Sequence, residues 1–182
     1  MASKIEDYGL IGNMYTSALV SRSGSIDWLC APRFDSDACL AALLGYDEHG
    51  SWSLRPTVAV RQNQQSYRGD TMILETAFVC DGGAVRVIDF MPMSGGCDLV
   101  RIIEDLDGEV PIEMLLNIRF GYGEHVPFME STEDGVCFVS GPDALVLRTP
   151  IAVEISGHRL SAYFPVRKGD RIPITAYLVC FA

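Results

Sequence analysis

The clearest pattern in the chain lies at 110–120. Val110, Ile112, Met114, Leu116, Ile118 and Phe120 are apolar at every second position, with Glu113, Asn117 and Arg119 between them. A period of two over that length predicts a strand with one face in a core and one more polar face. Shorter runs rich in apolar residues predict further strands at 14–20, 26–30, 52–54, 58–61, 72–80, 84–90, 99–104, 136–140, 144–149, 151–155 and 159–166. Turn residues separate them: Arg22-Ser23-Gly24-Ser25, Gly82-Gly83, Asp107-Gly108, Gly141-Pro142-Asp143, Ser156-Gly157-His158 and Lys168-Gly169-Asp170. The run at 36–44 departs from this pattern. Ala38, Leu40, Ala41, Leu43 and Leu44 are good helix formers, Asp35 or Ser36 can cap them, and Gly45 can stop them, so a short helix is expected there. Many short strands with Gly, Pro and Asp punctuation predict an all-β fold, a two-sheet antiparallel β-sandwich carrying that one helix.

The last nine residues, 174–182, are apolar on both faces, which suits a strand in the middle of a sandwich. A chain that stops just past a core strand reads as one cut at a domain boundary. The 182 residues are expected to form a single domain, with no internal repeat or linker.

Composition narrows the function. Nearly half the residues (48%) are apolar and 21% are charged, an ordinary globular balance. The net charge of −10 argues against a phosphate backbone as partner, so no nucleic acid is expected. No apolar run is long enough to span a bilayer, and the start lacks the apolar stretch of a secretory signal, so no membrane partner and a cytoplasmic location are expected. The six cysteines form no C-x-x-C pair, and four of them lie in apolar strand-like or helix-like runs, which reads as reduced buried thiols. His49, His125 and His158 stand apart without metal-ligand spacing, so neither metal nor cofactor is expected. No G-x-S-x-G elbow or phosphate loop occurs; Gly12, Gly95-Gly96 and Gly121-Tyr122-Gly123 read as turns.

What remains is recognition. The corner after the second predicted strand places Trp28, Arg33, Phe34 and Asp35 together, a set suited to a polar ligand or to a second protein surface. The plain alternative is a strand–loop corner with a local Arg33–Asp35 ion pair. A second aromatic and basic cluster, Arg119, Phe120, Tyr122 and His125, fits a strand end and loop, or an extension of the same interface.

The same stretch carries a resemblance. GSIDWLCAPRFDSDACLAALLG at 24–45 resembles the signature near the start of bacterial trehalase-like and glucoamylase-like proteins of glycoside hydrolase family 15. IEDYGLIGN, YRGDTMILETAF, VRVIDFMPM and LVRIIEDLDGEVPIEMLLNIRFGYG resemble the family's following segments in order. The family motif usually has a larger or more apolar residue at Ala31 and a proline at Asp37. The resemblance implies the family's amino-terminal, supersandwich-like β-sandwich, over 1–182, with a catalytic (α/α)6 barrel downstream and absent from this chain. It implies that both catalytic glutamates belong to that barrel, so no residue here is expected to be catalytic, and Asp27, Asp35 and Asp37 are given no acid or base role. The parent would cleave an α-glucoside such as trehalose or a maltooligosaccharide. Trp28, Arg33, Phe34 and Asp35 would then form either a latch to the barrel or the rim of a sugar site. Arginine and aromatic enrichment in interface cores favours the latch. An isolated domain would leave an apolar patch uncovered and self-associate. The alternative from another class is a free-standing carbohydrate-binding or protein-interaction sandwich.

Overall fold

The computed structural model describes residues 3–93 and 96–180 and, for Cys180, the backbone alone. Gly95, expected in a turn, and the last two residues of the apolar 174–182 run lie outside the described residues.

Among the described residues, fifteen antiparallel strands form two layers that share one long strand. The first half of the chain supplies β1 (Tyr8–Gly12), β2 (Ser17–Ser21), β3 (Ser25–Cys30), β4 (Ala38–Leu40), β5 (Ser51–Pro56), β6 (Val60–Tyr67), β7 (Leu74–Cys80) and β8 (Gly83–Phe90). The second half supplies β9 (Asp98–Asn117), β10 (Phe128–Thr132), β11 (Gly135–Ser140), β12 (Asp143–Arg148), β13 (Glu154–Ser156), β14 (Arg159–Arg167) and β15 (Arg171–Cys180). One layer runs β1-β2-β3-β5-β9-β14-β13, with β4 against β3. The other runs β6-β7-β8-β9-β15-β12-β11-β10. Apolar side chains from both layers, among them Ile26, Trp52, Leu54, Met114 and Leu116 from one and Phe78, Val85, Leu99, Phe138 and Ile174 from the other, form the main core between them. The all-β expectation therefore holds, and the sheet is not closed into a barrel.

Two local expectations are corrected. Asp107-Gly108 is not a tight turn. The chain runs straight through it, so the strands expected at 99–104 and 110–120 are one twenty-residue strand, β9. Its first half pairs with β8 and β15 and its second half with β5 and β14. The step between layers is a bulge. Asp107 pairs with Ala84 and Asp105 with Val85, leaving Leu106 without an opposite residue. Gly108 adopts φ +72° there, and a Cβ on it would lie 2.2 Å from the Gly82 carbonyl oxygen, so the crossing needs glycine.

The run at 36–44 is not a helix. Ala38–Leu40 is a strand on the edge of β3, followed by a single 3-10 turn at Ala42–Leu44. Ala38, Cys39, Leu40, Ala41 and Ala42 are all buried in succession. A helix there would need a polar face, whereas a run buried on every side suits a strand that finds an open edge. Strands β1 and β10 had no counterpart in the sequence pattern. Strand β6, expected at 58–61, extends to Tyr67 as a polar, exposed strand paired only with β7.

Candidate functional site

The expected corner forms one end of the sandwich. The chain leaves β3 through a cis Ala31–Pro32 bond into an exposed loop. Arg33 Nε donates to Asp35 Oδ1 at 2.8 Å with both side chains in solvent. That hydrogen bond raises the Arg33 pKa and lowers that of Asp35, whose own backbone amide adds to the effect. The loop closes on itself: Arg33 N donates to Ser36 Oγ at 3.2 Å and Ser36 N to the Arg33 carbonyl at 3.1 Å. Phe34 N donates to the Tyr15 carbonyl at 3.0 Å, which ties this loop to the β1–β2 loop and leaves the Phe34 ring 59% exposed beside exposed Met14 and Tyr15.

Trp28, on β3, is half-buried and packs against the small buried set Cys30, Ala38 and Ala41. Its ring meets that of Tyr122 at 6.2 Å between centroids, tilted by 42°. Tyr122 is held in the left-handed region at φ +59° by the turn Gly121–Gly123. His125 closes that turn through paired backbone bonds with Phe120 of 2.9 and 3.0 Å, its ring packed on Gly121. Together, Pro32, Ser36, Asp37, Gly121, His125 and Asp143 line a cleft of about 520 Å³. The two predicted clusters thus meet through Trp28 and Tyr122. Arg119 does not join them. Its Nη1 donates to the carbonyls of Ile118, at 2.7 Å, and His158, at 3.3 Å; burial first, and then nearby Arg159, lowers its pKa.

Arg119 instead borders a second concavity, on the outer face of the layer β3-β5-β9-β14, that the sequence reading did not pick out. Register builds it. Ser51 lies opposite Asn117, Ser53 opposite both Ser25 and Leu115, Arg55 opposite Glu113, and Ser161 and Tyr163 opposite Leu115 and Glu113. Asp27 lies two residues after Ser25 on the same face of β3. Its Oδ2 accepts from the Tyr8 hydroxyl at 2.6 Å and its Oδ1 from Ser25 Oγ. Burial, with the Asp27 hydrogen bond and charge, pushes the Tyr8 pKa up to about 12. Asn117 Nδ2 donates to the Asp47 carbonyl at 2.9 Å, while its buried Oδ1 has no hydrogen-bond partner. The signal in the sequence was the alternation of short polar residues at Ser25/Asp27, Ser51/Ser53 and Glu113/Asn117. Only the pairing of strands far apart in the chain shows that they are neighbours.

Cys30, Cys39 and Cys80 carry buried free thiols and Cys137 a half-buried one. Burial raises the pKa of all four, most strongly that of Cys39. No helix among the described residues is long and apolar enough to cross a membrane.

The family described as "Trehalase-like, N-terminal" matches residues 1–164. The chain is 31% identical over 178 residues to a trehalase of Thermoplasma volcanium, covering 93% of this chain and 26% of that protein. It is 36% identical over 132 residues to Trehalase 1 of Sulfolobus acidocaldarius, covering 72% and 22% respectively. A trehalase of Mycolicibacterium smegmatis matches at 33% over 95 residues, 52% of this chain and 14% of that one. The chain therefore spans about a quarter or less of the length of these relatives.

Proposed function

Since the chain belongs to the trehalase-like N-terminal family, we propose that it is the non-catalytic β-sandwich of a family 15-type glycoside hydrolase. Its parent hydrolyses α-glucosidic bonds, and the catalytic residues lie in an (α/α)6 barrel further along the polypeptide. The sandwich stabilises that barrel and helps shape the mouth of its active site. The end bearing Trp28, Arg33, Phe34 and Asp35, joined by Tyr122 and His125, is the docking surface. The observation that carries this reading is the exposed aromatic end itself. Phe34, Met14, Tyr15 and Tyr122 stand in solvent on loops held in place by backbone hydrogen bonds. An apolar surface held in shape suits a partner that covers it. The buried free thiols support a reducing, cytoplasmic location.

The test compares this chain with the longer polypeptide. Incubated with trehalose or maltose, the 182-residue chain releases no glucose. In hydrogen exchange, segments 28–37 and 120–125 are protected in the longer protein and open in the chain alone. Turnover by the chain that is lost in Asp27→Asn or Asp35→Asn, or equal exchange of those segments in both, overturns the assignment.

A further inference from the structure

The groove on the outer face of β3, β5, β9 and β14 lies outside the proposed docking end and is built like a binding site. We propose that it binds a neutral saccharide. Its floor is a cross-strand row, Asp27, Ser51 and Asn117 with Arg159 beyond, and a second row, Ser25, Ser53, Leu115 and Ser161. Short hydroxyls, one carboxylate, one amide and one guanidinium give mixed donors and acceptors at the cross-strand spacing of roughly 5 Å. That spacing is comparable with the separation of hydroxyls across a pyranose ring. A deep cavity of about 190 Å³ and a wider groove of about 680 Å³ share Leu115, Asn117 and Arg159, so there is room for a sugar unit with an open exit for the next.

Three observations select the ligand class. The lining of the two hollows sets three carboxylates, Asp27, Asp47 and Glu48, against three guanidinium groups, Arg55, Arg119 and Arg159, so it favours neither an anion nor a cation. No described group of His, Cys, Asp and Glu is arranged to hold a metal. Two exposed tyrosines flank the groove: Tyr163, fixed by its hydroxyl donating to Glu113 Oε1 at 2.8 Å, and Tyr46, in the adjoining hollow with Arg159. Their faces, with Leu115 on the floor, offer apolar contact to the C–H face of a sugar ring. A partnerless acceptor in the lining points the same way. Asn117 is 4% exposed and its Oδ1 lacks a donor, so a ligand hydroxyl completes a hydrogen bond that the protein leaves unmade.

The test is a two-dimensional amide NMR titration of the 182-residue chain with trehalose, maltose and, as an anion control, sulfate. A saccharide moves the Asn117 side-chain resonances and the backbone amides of Ser51, Ser53 and Ser161; sulfate does not. Asn117→Leu, which matches the side chain in size and removes the orphan oxygen, weakens binding about tenfold, as expected for one lost hydrogen bond to a ligand. Asp27→Asn, a second isosteric change, also weakens it. No shift with either sugar, equal shifts with sulfate, or shifts mapping to Trp28 and Tyr122 overturns the proposal. The docking assignment is read by hydrogen exchange at other segments, so either idea can fail without the other.

Discussion

Arg101 and Asp89 face each other in register across β9 and β8, both with no solvent exposure, and Arg101 Nε lies 2.8 Å from Asp89 Oδ1. The guanidinium does more than neutralise its partner. Its Nη1 donates to the Trp52 carbonyl at 2.7 Å and its Nη2 to the Gly24 carbonyl at 2.8 Å, both on the opposite layer, and it lies 5.2 Å from the centre of the Trp52 ring. A buried charge in the core thus stitches the two layers together. Removing one member leaves the other charged and dry. Asp89→Ala is expected to lower stability by about 3–5 kcal/mol, read from the denaturant midpoint. Asp89→Ala and Arg101→Met combined should cost less than the two single changes added together, because the stranded charge is gone.

Gly108 marks where β9 changes layer. Gly108→Ala places a methyl 2.2 Å from the Gly82 carbonyl oxygen at a positive φ. A loss of about 1–3 kcal/mol is expected, and the backbone shift should appear first in the amide exchange of β8. The same change at Gly141, also at positive φ but with open space around its Cβ, should cost less.

Tyr8 supplies a pH signature. Its folded pKa of about 12 stands above the ordinary 10.0, so below pH 10 the phenol is protonated in both folded and unfolded chains and its contribution is complete. Between about pH 10 and 12 the unfolded chain ionises first, and that stability is lost as pH rises. Tyr8→Phe should flatten the fall of the thermal midpoint across that window. It should also remove a tyrosine that titrates near pH 12 from the alkaline absorbance curve. An equally steep fall in the variant would show that Tyr8 does not contribute.

The uncovered end should make the isolated chain self-associate weakly. Sedimentation is expected to show a concentration-dependent increase in mass that disappears in Phe34→Ser, with melting unchanged because the ring is exposed. A chain that stays monomeric at every concentration would count against a covered face in the parent protein.

Thiol labelling should follow exposure. Among the described cysteine side chains, Cys137, half-buried, reacts first in the folded chain, whereas Cys39, buried with its pKa raised by desolvation, reacts only on unfolding.

Much of the fold could be read from residue pattern because alternation is local. The inner face of β9 from Val110 to Leu116 is visible in the sequence as apolar residues two apart. What failed was non-local. The 36–44 run looked helical because Ala and Leu favour helices, yet the free edge of β3 and burial on every side overrode propensity. Asp107-Gly108 looked like a turn because the residues suit one; only Gly82 and Gly83 passing close by make it a bulge. At the candidate site, Trp28 and the 33–35 loop were singled out from side-chain type. The meeting of Trp28 with Tyr122, nearly a hundred residues away, and the departure of Arg119 to another face depend on strand order. The polar groove could not be seen in advance for the same reason, since its rows join four strands spread from Ser25 to Tyr163.

Strand β9 has a consequence for motion. It is the backbone neighbour of β8 and β15 along one half and of β5 and β14 along the other. Neither layer can peel away or slide without breaking the ladder that anchors its counterpart, so the domain should melt as one cooperative unit with no internal hinge. Any opening and closing in which this domain takes part must then be a rigid-body swing, with the pivot located in whatever chain adjoins it.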